Sequence, residues 1–319
     1  MNFSASLPLL PPRSSDSHKG TFGTVLVIGG QAAEPIVMVG GPAFTAIAAL
    51  RSGCGLVKLA LPAPLVVPAL TLAPSATGLA LPVDGQGRLR PSECAALLDE
   101  SLAGVRCIAV GPGLGAAGPQ QQVVLRLIAG ERIPLVLDAD ALNCLAQTTD
   151  FARDLRAPAV LTPHPREFAR LAEALSLCAD TSTERGRVDA ATALARRLGS
   201  IVVLKGAGTV VTDGLQSWIC RAGNAALATA GTGDVLTGVI AGFVAQFATQ
   251  FATQSATQSA TQSVTAASPL SIYDCARLAV EAHARAADRW RERGASAGML
   301  ASDLLEEIPA AVESLRRAV

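Results

Sequence analysis

The chain has 319 residues, 50% of them hydrophobic, and its 26 basic and 26 acidic side chains leave no formal net charge. This length can bury a large core, and the lack of a basic excess argues against nucleic acid or an anionic membrane as a partner. Aromatic residues make up only 3% of the chain, too few for base-stacking platforms. The seven cysteines lack a Cys-x-x-Cys pair and histidines number three, so we expect reduced thiols in a cytoplasmic protein rather than a zinc site. No signal peptide or membrane span is predicted.

Residues 1–17 are rich in proline and serine, which predicts an N-terminal tail. Beyond them, short apolar runs alternate with segments of helical periodicity. Strands are predicted at residues 24–30, 56–61, 107–110, 135–138, 159–162, 201–204 and 209–212. Helices are predicted at residues 43–51, 120–129, 167–175, 185–198, 233–243, 271–293 and 301–317. Because most strands are apolar on both faces, the sequence predicts an α/β domain over residues 18–319, with a mainly parallel sheet between helical layers.

A four-residue repeat interrupts this alternation. Phe-Ala-Thr-Gln occurs twice from Phe247, and two Ser-Ala-Thr-Gln units and one Ser-Val-Thr follow. Such uncharged, low-complexity sequence predicts an insert at about residues 246–268. A surface loop between two helices is the favoured interpretation, and an interaction arm is the alternative.

Six glycine-rich or polar segments are expected at one edge of the predicted sheet. They are residues 29–30, 111–115, 138–143, 162–167, 205–209 and 231–234. In parallel α/β sheets, ligands bind at the carboxyl ends of the strands. We therefore expect these segments to converge on one binding site.

The turn at residues 231–234 carries the most defined chemistry. Gly231 and Gly233 flank Thr232 at the start of a predicted helix, and Asp234 follows in the first turn. The unpaired amides and the dipole of a helix N-terminus attract anions, and glycines let phosphate oxygens approach the backbone. A carboxylate there can orient an incoming hydroxyl group and accept its proton. A simple helix cap would not require both glycines, so this turn predicts a phosphate site with Asp234 as the general base.

Lys205-Gly-Ala-Gly-Thr209 forms a predicted turn between two strands. Its glycines expose the backbone, and Lys205 and Thr209 can bind phosphate or ribose oxygens. From these residues alone, a nucleotide-binding turn and a glycine-rich hairpin with a solvated lysine are equally good interpretations.

Two further strand ends carry polar candidates. His164 lies between two prolines, which stiffen the backbone. A lone histidine is more often structural, but its place at the ligand edge favours a functional role. Glu167 begins the next helix and can cap it. Asp138 and Asn143 flank another strand end, where Asp138 is either a cap or a polar contact to a ligand.

The segment Asn224–Gly238 resembles the ribokinase-like superfamily. An ordered set of other segments is similar to one of its members, the ADP-dependent NAD(P)H-hydrate dehydratase family, a carbohydrate-kinase-like module. These segments are residues 18–30, 48–57, 110–115, 138–143, 161–167 and 204–209. The resemblance covers about residue 18 to the C-terminus. It implies a ribokinase-like three-layer α/β/α fold and an ADP-dependent dehydration of (6S)-NAD(P)H hydrate to NAD(P)H, with AMP and phosphate as the other products.

The resemblance also implies roles for individual residues. The substrate-binding residues are Gly41, Gly113, His164 and Asp234. The nucleotide-binding residues are Lys205, Gly206, Ala207, Gly208, Thr209, Gly231, Thr232 and Gly233. Further candidates are Asp138, Asn143, Glu167 and Asn224. Mg²⁺ is the implied cofactor, and related kinases hold it through water beside a carboxylate near Glu167; no residue is assigned as a direct metal ligand. Gly41 departs from the alanine usual in the family.

The implied partners are small molecules: ADP and the hydrates of NADH and NADPH. The resemblance further implies a homotetramer and a separate epimerase in the same pathway. The alternative activity is that of an ATP-dependent kinase for a small molecule, such as a vitamin precursor or a sugar. The turn at residues 231–234 does not separate the two, whereas the segments around His164 and Lys205 favour the dehydratase. A non-enzymatic nucleotide sensor would be expected to have lost Asp234.

Overall fold

The computed structural model describes residues 2–3, 6–178, 180–248 and 270–316. The strands are β1 Asn2–Phe3, β2 Thr24–Ile28, β3 Leu56–Pro62, β4 Thr77–Leu81, β5 Val105–Val110, β6 Leu135–Leu137, β7 Ala159–Leu161, β8 Ile201–Leu204, β9 Val210–Thr212 and β10 Gln216–Ile219. The α-helices are α1 Gly40–Arg51, α2 Val66–Leu72, α3 Pro91–Ser101, α4 Gly118–Ile128, α5 Asp140–Ala146, α6 Phe151–Asp154, α7 Pro165–Ala174, α8 Glu184–Leu198, α9 Thr232–Phe247, α10 Ile272–Arg291 and α11 Ala301–Ser314.

The ten strands form one sheet in the order β1-β10-β9-β8-β7-β6-β5-β2-β3-β4. The strands from β8 to β4 in this order run parallel, and β9 is antiparallel to both of its neighbours. The prediction of a mainly parallel sheet is confirmed. Successive side chains of a strand point to opposite faces, so Val25 and Val27 enter one core cluster while Leu26 and Ile28 enter the other.

Helices cover both faces of the sheet. One cluster contains buried residues of α1, α2, α9, α10 and α11, and the other contains buried residues of α3 to α8. This arrangement confirms the three-layer prediction. None of the described helices combines the length and the apolar character needed to cross a membrane.

Small residues let α1 and α9 pack with their backbones in contact. A Cβ atom at Gly238 of α9 would collide with the carbonyl oxygen of Thr45, and one at Gly242 would collide with the side chain of Ser52. The Thr45 hydroxyl group then donates a hydrogen bond of 3.0 Å to the Asp234 carbonyl. The glycines of α9 therefore fix its N-terminus against the start of α1.

The N-terminal region differs from the predicted tail. Asn2 and Phe3 pair in parallel with β10, Leu10 is buried in the core, and its N–H donates to the Leu315 carbonyl. Leu7 and Leu10, which lie among the prolines, pack in the core cluster that contains α1 and α9, so this region packs against the domain rather than extending from it. Of the predicted insert, residues 246–248 belong to the end of α9 and its cap, and the remainder lies outside the described residues.

Candidate active site

The helix α9 begins at the predicted phosphate-binding turn. Gly231 precedes it with a left-handed backbone (φ 89°), which glycine adopts without strain, and provides no side-chain cap. The hydroxyl group of Thr232 donates to the carbonyls of Leu227 and Thr229 and so holds the turn to the segment before it. The first amides of a helix have no intrahelical partner. The turn therefore offers the amides of Gly233 and Asp234 to an anion.

Asp234 is partly buried and lies close to the start of α1. A Cβ atom at Gly41 would lie 3.3 Å from both of its carboxylate oxygens. Burial, and then the negative charge of Asp138, raise the pKa of Asp234 to about 7, although the Lys205 ammonium group opposes this rise. A carboxyl group with this pKa can both accept and release a proton near neutral pH. This property suits the predicted general base.

Lys205 and Asp138 form a buried ion pair beside this helix terminus. Lys205 Nζ lies 2.7 Å from Asp138 Oδ1 and 3.8 Å from Glu167 Oε2. Asp138 Oδ2 accepts a 2.7 Å hydrogen bond from the hydroxyl group of Thr237. Burial opposes both charges, yet the pairing holds the pKa of Asp138 below and the pKa of Lys205 above their usual values. The solvated-lysine alternative for the turn after β8 is thus wrong, because the lysine side chain is only 19% exposed.

His164 is the N-cap of α7. Its Nδ1 accepts hydrogen bonds from the amides of Arg166 and Glu167, and its own amide donates to Glu167 Oε2. Because Nδ1 is an acceptor, the proton of the neutral ring is on Nε2, which lies 3.3 Å from Glu167 Oε1. Burial and the nearby Lys205 lower the pKa of His164. The capping function of Glu167 is present, and the contact of His164 with substrate stays a prediction.

A cavity of about 730 Å³ opens beside the start of α9. The predicted residues on its wall are His164, Lys205, Gly206, Ala207, Gly208, Thr209, Asn224, Thr232 and Gly233. The wall also contains the apolar side chains of Leu227, of Leu236 in α9 and of Val280 in α10. This volume suits a drug-sized ligand. The cavity therefore offers both polar groups that suit phosphate and apolar side chains that suit a nucleobase.

Seven predicted site residues are not on this cavity wall: Gly41, Gly113, Asp138, Asn143, Glu167, Gly231 and Asp234. Of these, Gly41, Gly113 and Asp234 lie close to the start of α1 or to the loop before it. Gly113, which follows β5, has a positive φ of 59°. A Cβ atom there would lie 3.1 Å from Cβ of Met38, which is in the loop between β2 and α1. Gly41 faces Asp234. Three of the four residues predicted to bind the hydrated dinucleotide thus lie near the β2–α1 segment, whereas the fourth, His164, is on the cavity wall.

Both candidate asparagines make hydrogen bonds within the protein. Asn143 donates to Asp140 Oδ1 and accepts from Arg170, while Asp140 Oδ2 accepts from the Gly115 amide. Asn224 is bonded to Asp288 and caps the following 3-10 helix. The side-chain amides therefore hold loops in place, and ligand contact by either residue stays a prediction.

Comparisons with known proteins agree with the geometry. A family model described as NAD(P)H-hydrate dehydratase matches residues 25–310. The chain belongs to the NAD(P)H-hydrate dehydratase family. It is 34% identical to the bifunctional NAD(P)H-hydrate repair enzyme of Vibrio cholerae over 300 residues, which are 94% of this chain and 51% of that protein. The chain therefore spans about half the length of the bifunctional relatives it matches.

The match to this chain spans a larger share of the shorter relatives and of the solved structures. The ADP-dependent (S)-NAD(P)H-hydrate dehydratase of Bacillus subtilis is 36% identical over 236 residues, which are 72% of this chain and 75% of that protein. A crystal structure of the ADP/ATP-dependent dehydratase from Bacillus subtilis, co-crystallised with ATP and Mg²⁺, superposes with a TM-score of 0.70 at 27% identity and covers 96% of this chain and 95% of that one. A crystal structure of a ribokinase-like superfamily protein from Enterococcus faecalis superposes with a TM-score of 0.73 at 25% identity and covers 96% of this chain and 92% of that one, which confirms the ribokinase-like fold expected of this dehydratase family member.

Several residues that support the site of this dehydratase family member were missed from the sequence. Thr237 and Thr45 follow Asp234 and Gly41 by one helical turn, a spacing that places each pair on one helix face. Arg187 of α8 donates to the carbonyls of Leu204, Lys205 and Ala207 and so braces the turn after β8. Only the helical spacing was readable in advance.

His283 of α10 was also missed. It lies on the cavity wall, and its Nε2 donates a 2.8 Å hydrogen bond to the Thr232 carbonyl. Burial lowers its pKa to about 4, so it is neutral at pH 7. His283 is 51 residues from Thr232 in the chain, and no motif in the sequence connects the two residues.

The carboxylates of the site bear on the implied magnesium ion. Among the described residues, no group of three or more His, Cys, Asp or Glu side chains is arranged to hold a metal. Lys205 nevertheless has the carboxyl groups of Asp138, Glu167 and Asp234 as neighbours. Mg²⁺ usually retains several waters and is held by one or two carboxylates together with substrate phosphates. The residues present fit an ion that arrives with a polyphosphate.

Proposed function

We propose that the chain catalyses the ADP-dependent dehydration of (6S)-NAD(P)H hydrate to NAD(P)H, with release of AMP and phosphate. The observation that carries the proposal is the partly buried carboxyl group of Asp234, whose pKa is raised to about 7, at the phosphate-binding end of α9. The family to which the chain belongs supports the substrate and the donor. The observed geometry would serve each half of such a reaction.

The nucleotide would occupy the cavity beside Lys205–Thr209, with its phosphates at the amides of Gly233 and Asp234. Asp234 would take the proton of the ring hydroxyl group of the hydrate, whose oxygen then forms a bond to the β-phosphorus of ADP as the bond to AMP breaks. Phosphate is a better leaving group than hydroxide. Its loss, with a proton from the neighbouring ring carbon, restores the double bond.

The side chains near Lys205 would have distinct duties in this reaction. The ammonium group of Lys205 and the helix amides would stabilise negative charge on the transferring group. Glu167 would hold Mg²⁺ through water, and the ion, when bound with the nucleotide, neutralises phosphate charge. Neutral His164 would donate through Nε2–H to the hydrated nicotinamide.

A direct assay tests the proposal. Hydrated NADH is mixed with enzyme, Mg²⁺ and either ADP or ATP, and the return of the reduced-nicotinamide absorbance is followed. We expect recovery with ADP, with AMP and phosphate formed in equal amounts. Asp234→Asn should abolish it while retaining nucleotide binding, and Asp99→Asn, an exposed carboxylate on α3 paired with Arg126, is the matched control. Transfer from ATP to an alcohol with no action on the hydrate would instead establish the alternative kinase.

The partners belong to the same proposal. The bifunctional relatives are named as repair enzymes, and we propose that an epimerase activity in the same pathway converts the R hydrate for this chain. A homotetramer in the cytoplasm stays a prediction, which light scattering of the purified protein and localisation of a tagged chain would check.

A further inference from the structure

The two carboxylate oxygens of Asp138 join two separate parts of the site. Oδ1 lies 2.7 Å from Lys205 Nζ on the turn after β8, and Oδ2 accepts from Thr237 of α9 at 2.7 Å. The carboxylate itself is nearly inaccessible, with 2% of the side chain exposed. It is not on the cavity wall, whereas Lys205 is. Asp138 is therefore placed to influence a bound nucleotide only through its neighbours.

The geometry also shows what Asp138 holds in place. Lys205 Nζ lies 3.6 Å from the position that a Cβ atom would take on Gly233, so the ammonium group is at the phosphate-binding end of α9. A lysine side chain has a flexible four-carbon stem and no preferred fork geometry. Thr237 lies one turn after Asp234 on the same helix face. A carboxylate bonded to both residues fixes the ammonium group relative to the helix amides and the general base.

We propose that Asp138 is a positioning residue, which holds the ammonium group of Lys205 at the N-terminus of α9 so that both bind the same phosphate group. The inference rests on the proposed nucleotide site and adds to it a residue that acts without touching the ligand. The competing explanation is a buried ion pair that serves stability alone. Such a pair would lower stability when broken and leave the nucleotide affinity of the folded protein unchanged.

A double-mutant cycle on nucleotide affinity separates the two explanations. The dissociation constant of ADP with Mg²⁺ is measured by calorimetry for the full chain and for Asp138→Asn, Lys205→Gln and the double variant. We expect each single variant to raise the dissociation constant of ADP by about tenfold or more, because each loses one charged hydrogen bond. We expect the double variant to bind ADP like Lys205→Gln alone. Additive losses, or an Asp138→Asn variant with wild-type affinity, would overturn the inference.

A second pair of variants protects the test against misfolding of Asp138→Asn. Thr237→Val removes the hydroxyl group that donates to Asp138, and Thr237→Ser retains it. We expect Thr237→Val to weaken ADP binding and to lower kcat. Thr237→Ser should bring both quantities back toward the wild-type values. Thermal unfolding shows whether each variant is folded. Equal affinities in the two variants would overturn the inference.

The proposed function can fail separately. A wild-type chain that binds ADP and shows this coupling, yet does not act on hydrated NADH, leaves the positioning inference intact. A wild-type chain that binds no adenine nucleotide overturns both.

Discussion

Gly41 and Asp234 meet where α1 and α9 begin, and a Cβ atom on Gly41 would lie 3.3 Å from both oxygens of the Asp234 carboxylate. This distance is tight but close to ordinary contact, so a single methyl group needs only a small shift. A branched side chain would displace the carboxylate. Position 41 thus controls where the general base points.

We predict that Gly41→Ala keeps kcat within about tenfold of wild type, whereas Gly41→Val lowers it by about a hundredfold or more, because small misplacements of reacting groups are costly. ADP affinity should hardly change, since Gly41 is not on the cavity wall. Steady-state kinetics and calorimetry measure both. Gly118→Val is the control, because a Cβ atom there meets nothing within 4 Å. Wild-type turnover in Gly41→Val would contradict the role of this contact.

The raised pKa of Asp234 predicts a pH dependence of turnover. A general base must be ionised, and burial raises the pKa of this carboxyl group to about 7. We expect kcat/KM for the hydrate, which reports the enzyme before the hydrate binds, to fall tenfold per pH unit below about pH 7 and to level off above it. A flat profile between about pH 5 and pH 8 would show that Asp234 is not the base.

The charges that face Asp234 give this pH profile a further test. They are Asp138, Lys205, Asp140 and Glu167. Asp140→Asn removes one negative charge but keeps an oxygen that can accept from the Gly115 amide. We expect the acidic limb of the profile to move to lower pH in this variant, because the ionised form of Asp234 becomes easier to form. A limb that stays in place or moves upward would contradict the assignment.

The same carboxyl group should make the folded protein less stable at neutral pH. Its pKa is raised on folding, so its stabilising contribution is present below about pH 4 and is lost as the pH rises to about 7. A rise from 3.8 to about 7 corresponds to an upper limit on the order of 4 kcal/mol. Asp234→Asn, neutral at every pH, should therefore be more stable than wild type at about pH 8 and similar at about pH 4. Urea unfolding at the two pH values measures the difference, and a gap that does not change with pH would refute the prediction.

The sequence predicted the parts of the molecule whose signals are local. Buried strands such as β2 appear as continuous apolar runs, and the glycines at 231 and 233 mark the start of α9. Elements with weak patterns were missed: β4 is a largely accessible edge strand that contains Gly78, and α5 is only seven residues long. The polar residues of α5 predict a binding segment at the edge of the sheet rather than a helix.

The contacts that complete the site were not predictable in the same way. Asp138 and Lys205 are 67 residues apart, and Thr232 and His283 are 51 residues apart. Their pairing depends on the order of strands in the sheet and on the packing of α10 against α9. A sequence shows that each side chain is polar and close to a strand end or on a helix, but the partner follows only from the fold.

His164 offers a final test, because it caps α7 and is also predicted to bind substrate. Asparagine is a good N-cap, so His164→Asn should keep the cap without the imidazole Nε2–H, whereas His164→Ala loses both and should cost about 1 kcal/mol of stability. If His164 contacts the hydrated dinucleotide, both variants should raise the KM for the hydrated dinucleotide by a similar factor. Only His164→Ala should have a lower free energy of unfolding. Kinetics and urea unfolding on the same samples check this. A His164→Asn variant with wild-type KM would show that His164 only caps α7. The backbone amide of residue 164 donates to Glu167 in wild type, and neither substitution removes this amide.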